Sequence, residues 1–301
     1  MQKIFIGGCD RSGTTFLASL LASYKGVIVG PETQFKVNIQ PHDLTNFTTE
    51  RLMNGFSNSW RFKHWFPDFE DVCNRLELFQ VMNYESLIDS LVSIYADQNF
   101  GIKAKYWVDH TPNNFEYFDF FEKNLSSVKY IHIYRDGRAV AASLMAREWG
   151  PNTPEAAAIY WLTKLSYPFA AQAMQPEKVF TVCYEDLVRN TDYEIQRIIT
   201  FCDFDSEIVE KKSIILPKFS LNQHSLVNKK PNKQRLDAWK YQMTQSQIAI
   251  FNQYAGCMLT ILGYKTNCSN RVSVIKIAQD RFLEFIKKHI NRRLYKKIRN
   301  L

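Results

Sequence analysis

Long apolar stretches are missing from this chain. Nowhere do about 18 apolar residues run without interruption, and the opening "MQKIFIGG" has too short an apolar run for a secretory leader. Both absences lead us to expect a cytoplasmic protein. Low-complexity and repeated segments are lacking too, so disorder and solenoid architectures drop out at 46% hydrophobic and 23% charged residues. No two cysteines form a C-x-x-C pair; Cys9, Cys73, Cys183, Cys202, Cys257 and Cys268 are scattered, which signals neither a zinc site nor a disulfide scaffold. Charge of one sign is absent from most of the chain. From Arg271 onward there are ten basic and two acidic residues, which is the whole net charge of +8, and the remaining 28 basic and 28 acidic residues cancel. The excess therefore describes a tail, and we expect no nucleic-acid face on the main domain.

What is present begins with "IFIGGCDRSGTTFLASLL", residues 4–21. An apolar run leads into glycines and a polar turn, and a helical pattern starts at Phe16: strand, loop, helix. The nucleotide triphosphatase pattern G-x-x-x-x-G-K-[ST] fits Gly8 to Thr15 except that Thr14 stands where the lysine belongs. Gly13, Ser12, Thr14 and Thr15 still supply backbone N–H groups and hydroxyls for an anion at a helix N-terminus. Arg11 supplies the charge from inside the loop.

Short β-branched or aromatic runs recur as "KIFIGG", "KGVIVG", "KYWVDHT", "VKYIHIYRD" and "KVFTVCYED", with helical patterns between them. That alternation predicts an α/β fold with a mainly parallel, P-loop-like sheet flanked by helices. Each run ends in polar residues: Arg11 and Ser12, Glu32, Asp109 and His110, Arg135 and Asp136, Tyr184 and Glu185. Ligands of such sheets sit beyond the carboxyl ends of the strands, so all five ends are expected at one crevice. Residues 35–106 read as a helical insertion, in which Trp60, Phe62, Trp65 and Phe66 either line an acceptor channel or form core. Thr153 and Pro154 open a second strong helix, and residues 245–262 a third. From Ile275 the apolar positions Ala278, Phe282, Phe285, Ile286 and Ile290 recur at helical spacing among the tail's basic residues, predicting a basic amphipathic helix over 271–301. Such a helix fits an anionic membrane surface, a partner copy in a homodimer or its own domain equally well, because the spacing is the same for all three.

The loop "GGCDRSGTT" resembles the 5′-phosphosulfate loop of sulfotransferases, especially the P-R-S-G-T-T branch that includes tyrosylprotein and carbohydrate sulfotransferases. The resemblance implies 3′-phosphoadenosine 5′-phosphosulfate as co-substrate and no metal, which would account for the missing lysine. "YIHIYRDGRAVAASLMAR" resembles the family's 3′-phosphate motif and implies donor contacts from Arg135, Ser143 and Arg147; a helix starting near Gly137 would put the last two on one face. "VCYEDL" resembles the family's nucleotide-contacting segment, which implies Tyr184 at the adenine and phosphate, with packing against the core as the competing reading. The segment from "SLVNKKPNK" to "ILGY" resembles the closing segment and implies Lys229 or Lys230 over the phosphates, whereas a lysine found in some relatives is Ala238 here. These matches span residues 3–265, and residues 1–270 are taken as the sulfotransferase domain. Glu32 in "VIVGPETQF" matches the base of the tyrosylprotein branch, and His110 in "WVDHTPNN" falls where other branches carry a base histidine or a lysine. We expect Glu32 as base, His110 as the group stabilising the departing oxygen, and Arg11 as the loop's catalytic cation. Gln34 replaces an arginine of the tyrosylprotein motif, which implies a hydroxyl acceptor that is a carbohydrate, glycolipid or small molecule. The competing reading is a kinase or nucleotide hydrolase with a degenerate loop, using Asp136 and Lys229.

Overall fold

The computed structural model describes residues 1–37, 59–79, 83–147, 149–209 and 233–266 without a break, together with Phe56, Val81, Ile214, Ile215 and single positions between 273 and 289. The five predicted strands form one parallel sheet: β1 (Gln2–Gly7), β2 (Val27–Val29), β3 (Tyr106–Asp109), β4 (Val128–Tyr134) and β5 (Val179–Cys183). Their order is β2-β3-β1-β4-β5, so β1 lies at the centre, with Ile4 opposite Val108 and Ile6 opposite Ile131.

Strand β1 is buried on both faces because the sheet is covered on both, and its one charged residue, Lys3, is paired with Glu85 and Asp89. Alternation along the strand sends Phe5 to one layer and Ile4 and Ile6 to the other. Phe5 meets Trp107, Phe121 and Tyr130 edge-on, with ring centroids 4.8–6.0 Å apart. Over that layer lie the helices of the insertion: α2 (Trp60–Trp65), α3 (Phe69–Glu77) and α4 (Tyr84–Phe100), followed beyond β3 by α5 (Phe118–Asn124). Helix α4 starts at a reciprocal cap between Asn83 and Ser86 and stops at Gly101, whose φ of 65° is the left-handed conformation that glycine adopts at least cost. Its Leu87, Leu91, Val92 and Tyr95 are buried, as their spacing predicts.

The Ile4 and Ile6 layer is closed by α1 (Thr14–Leu21), and by α8 (Tyr184–Arg189) and α9 (Thr191–Cys202), which follow the helices named next in the chain. A third cluster joins α6 (Gly137–Met145), α7 (Pro154–Met174) and α11 (Gln245–Ile261) around Trp161 and Phe251; the one-turn helix α10 (Trp239–Gln242) precedes α11. The cap predicted for α7 is present: Thr153 Oγ1 accepts from Ala156 N at 3.3 Å and Pro154 occupies the first turn. No helix among the described residues is long and apolar enough to cross a membrane.

Candidate active site

The loop after β1 is shaped by close approach. A Cβ on Gly8 would stand 2.3 Å from the Ile133 carbonyl oxygen, and one on Gly13 would stand 2.5 Å from the Tyr184 ring. Both glycines also have positive φ, so backbone and space require the same residue. Arg11 adopts φ 70°, a left-handed conformation that costs a side chain free energy and is concentrated at functional loops. Gly13 has no side chain to cap α1. The first-turn N–H groups of α1 are thereby left for an anion, with the helix dipole favouring negative charge there.

A cleft of about 760 Å³ opens above this turn, lined by Gly13, Thr14 and Thr15 and by four arginines, Arg11, Arg135, Arg147 and Arg235. Arg11 Nε donates to Ser143 Oγ at 3.1 Å, which joins the loop motif to the motif after β4. Arg135 Nη1 donates to the Arg11 carbonyl oxygen at 3.3 Å, and its guanidinium lies 4.5 Å over the Tyr184 ring. Burial, together with the positive charges of Arg147 and Arg135, lowers the Arg11 pKa against the smaller opposing pull of Asp10 and Glu32. Four like charges gathered in a half-buried cleft repel one another, and an anion relieves the repulsion. Arg135 Nε, His110 Nε2 and Ser12 Oγ are buried without a hydrogen-bond partner among the described residues. Buried donors of this kind normally find an acceptor. The cleft's charge and the unfilled Arg135 Nε thus fit a phosphate-bearing anion.

Beside the cleft stand Glu32 and His110, carried by the ends of β2 and β3. Thr15 Oγ1 lies 3.3 Å from His110 Nδ1, so His110 touches the loop directly. The two strand ends are fastened together beneath the surface. Thr33 N donates to Thr111 Oγ1 at 2.9 Å, and Thr33 Oγ1 donates to Asp109 Oδ2 at 2.6 Å. Lys36 Nζ forms an ion pair with Asp109 and also donates to Asn114 Oδ1 at 2.7 Å and Thr33 Oγ1 at 3.1 Å. Thr111 donates to Asp109 Oδ1 through both its N–H and its hydroxyl. Burial pushes the Asp109 pKa up, but Lys36 and the threonine donors outweigh it and hold the carboxylate below its ordinary range. Glu32 itself receives a hydrogen bond from Arg61 Nη1 at 2.7 Å. Arg61 also stacks over the half-exposed Trp60, 4.6 Å from the ring centroid.

The five strand ends do not all face one crevice. Asp136 caps α6, accepting from Arg138 N at 2.9 Å, and is clasped by the Arg138 guanidinium. Glu185 accepts from Asp136 N at 3.1 Å and from the Tyr264 hydroxyl at 2.8 Å. Both line a separate cleft on the far side of Trp239. Helix α6 ends at Met145, so Ser143 and Arg147 do not share its face as expected; Arg147 follows the helix, yet still lines the arginine-rich cleft. Ser12 is fully buried and does not line that cleft. Tyr184 does line it, but is only 4% exposed because its ring fills the space beside Gly13. Of the insertion aromatics, Phe62, Trp65 and Phe66 are core, leaving Trp60 at the surface. Lys229 and Lys230 lie outside the described residues. Sequence reasoning passed over Arg235 and Trp239 in the cleft wall, Arg61 on Glu32 and Lys36 under Thr33. No local sequence pattern marks Arg61.

Comparison with known proteins gives consistent results. The chain is 24% identical over 295 residues to a Caenorhabditis briggsae protein provisionally named as a protein-tyrosine sulfotransferase, covering 94% of this chain and 96% of that one. It is 23% identical to protein-tyrosine sulfotransferase A of Caenorhabditis elegans, over 88% of this chain and 68% of the relative. Nodulation protein NoeE of Sinorhizobium fredii is 25% identical over 87% of this chain and 65% of its own length. Among solved structures, the sulfotransferase domain of the Synechococcus PCC 7002 olefin synthase superposes with a TM-score of 0.62 at 18% identity, covering 88% of this chain and 95% of that domain. The sulfotransferase domain from the curacin biosynthetic pathway gives 0.60 at 15% identity, covering 88% and 99%. Residues 3–207 match the Sulfotransferase family, more than half of the sequence, and the chain belongs to that family of transferases.

Proposed function

We propose that this enzyme moves a sulfuryl group from 3′-phosphoadenosine 5′-phosphosulfate to a hydroxyl of a carbohydrate, glycolipid or other small molecule, with no metal taking part. The observation that carries the reading is a phosphate-type loop with Thr14 in place of lysine, opening into a cleft walled by four arginines. Arginine charge then does the work that lysine and magnesium do for a triphosphate.

The donor supplies an activated sulfuryl group on a phosphate. Thr14, Thr15 and the first-turn N–H groups of α1 hold its 5′ end, with Ser12 shaping the turn, and Arg135, Ser143 and Arg147 hold its 3′-phosphate. Tyr184 and Trp239 bound the nucleotide, and Lys229 and Lys230 are candidates to close over it. Glu32, its carboxylate oriented by Arg61, accepts the acceptor's proton as the new oxygen–sulfur bond forms and the sulfur–oxygen bond to the phosphate breaks. If the Thr15 hydroxyl donates to Nδ1, the His110 proton sits on Nε2, which would serve the departing oxygen, while Arg11 balances the charge that develops there.

A protein tyrosine is the second acceptor reading. The names of the two nematode relatives favour it, and Arg61 puts beside Glu32 a cation that Gln34 does not supply. Two measurements test these readings. Adenosine 3′,5′-bisphosphate should raise the melting temperature without magnesium, as any ligand of the native state does, and ATP with magnesium should do little. The reverse order would replace the sulfotransferase reading by the kinase one. Labelled donor offered to sugars, glycolipids and tyrosine peptides in parallel then separates the acceptors.

A further inference from the structure

Among the described residues of the tail, Ile277 and Arg281 touch the catalytic domain. The tail's described positions from Ile275 to His289 are helical. Ile277 is buried at 8% exposure. Four residues on, Arg281 donates through Nε and Nη2 to both carboxylate oxygens of Glu155, at 2.6–3.1 Å, at the start of α7. Ile277 marks the side of the helix that faces the domain, and the Arg281 side chain, itself 67% exposed, reaches Glu155 from the rim of that side.

The apolar stripe lies elsewhere on the helix. At about 100° per residue, the centre of the set Ile275, Ala278, Phe282, Phe285 and Ile286 falls roughly 110° around the axis from Ile277 and Arg281, with Phe285 at the near edge, about 40° from Arg281. Every member of that set is exposed, with Ile275 at 72%, Phe282 at 64% and Phe285 at 59%. Ile159, one turn along α7 from Glu155, is itself half exposed. Scattered apolar residues on a surface need no explanation, but two phenylalanines and two isoleucines on one helix face form a patch of the kind that marks an interaction site.

Charge selects the occupant. Residues 271–301 carry ten basic and two acidic side chains, whereas the rest of the chain is balanced. A second copy would bring an equally positive tail against this one, and the chain's own domain is already engaged through Ile277 and Arg281. We propose that the stripe seats the enzyme on an anionic lipid bilayer, its phenylalanines entering the headgroup layer and its basic residues drawn by the lipid charge, while the Arg281–Glu155 pair sets the angle of the catalytic domain to the surface. This inference does not rest on the sulfuryl-transfer reading. Ligand-induced stabilisation tests that one and vesicle binding tests this one.

The experiment is co-sedimentation of the full chain with phosphatidylcholine vesicles, with and without phosphatidylserine, at low and high salt. A Phe282→Glu, Phe285→Glu double variant is compared, and because both positions are exposed its melting temperature should match that of the parent. The expected result is binding to the anionic vesicles only, falling steeply as salt screens the charges and at least tenfold in the double variant. Equal binding by parent and variant, equal binding to neutral and anionic vesicles, or no binding at all overturns the proposal. So does a dimer seen by analytical ultracentrifugation that the double variant abolishes, since the stripe would then belong to a second copy.

Discussion

Replacing Lys36 by methionine is the sharpest test of how the two candidate catalytic strand ends are held together. The lysine is 2% exposed and pairs with a carboxylate that is equally buried. Removing one member of a buried ion pair typically costs 3–5 kcal/mol, because the other charge is left uncompensated. Here Asp109 keeps three donors, the Thr33 hydroxyl and the N–H and hydroxyl of Thr111, so the lower end applies, about 3 kcal/mol. With an unfolding entropy of about 2.1 cal/mol/K per residue, a chain of 301 residues has roughly 0.6 kcal/mol/K in total. The melting temperature should therefore drop by about 5 °C. Adding Asp109→Asn removes the stranded charge, and the double variant should recover about 1–2 kcal/mol relative to the sum of the two single losses. Differential scanning calorimetry near neutral pH reads all four proteins. Strict additivity would show that Lys36 and Asp109 do not act as a pair, and a loss under about 1 kcal/mol in Lys36→Met would refute the burial argument itself. Turnover should also fall in Lys36→Met while adenosine 3′,5′-bisphosphate binding is retained, since the network ends on Thr33 and Thr111, the neighbours of Glu32 and His110.

Glu32→Gln should cut turnover by about 10²-fold or more and leave donor binding intact, whereas Arg135→Ala should weaken donor binding. An active Glu32→Gln beside an inactive His110→Ala that still binds donor would exchange their roles. His132, fully buried on β4 with neither ring nitrogen partnered among the described residues, has its pKa lowered by burial to about 3. The unfolded chain, with a value near 6.5, then binds the extra proton between these two pH values. Stability is full above about pH 6.5 and declines as the pH falls towards 3, by about 2 kcal/mol at roughly pH 5. His132→Leu should flatten that part of a denaturation-versus-pH curve, and an unchanged slope would assign the acid sensitivity to other groups.

Much of the fold was written locally. Each strand is a short run dominated by β-branched and aromatic residues, and burial of the central strands on both faces keeps the few polar positions, such as Lys3 and His132, from setting up an alternation. Thr153 with Pro154 marked the start of α7, and Gly8 and Gly13 marked a loop that only residues without a Cβ can make. The donor side of the site was legible for the same reason. Thr14 and Thr15 follow β1, and Arg135, Ser143 and Arg147 follow β4, its neighbour in the sheet, whereas Arg235 and Trp239 reach the cleft from a distant segment.

The surroundings of Glu32 and His110 depended on contacts between distant residues. Arg61 reaches Glu32 from 29 positions away, and Lys36 reaches Asp109 across 73. Neither pairing exists until β3 lies between β2 and β1 with the insertion packed over them. Asp136 and Glu185 carried the same signal as Arg11 and Arg135, a charge just past a strand, and were drawn instead to Arg138 and Tyr264. The tail makes the distinction plainest. Helical spacing establishes that an apolar stripe exists, but the same spacing serves a stripe turned inward or outward. The ion pair of Arg281 with Glu155 turned this one out, because a helix fastened along one side presents its other residues to whatever lies beyond the protein.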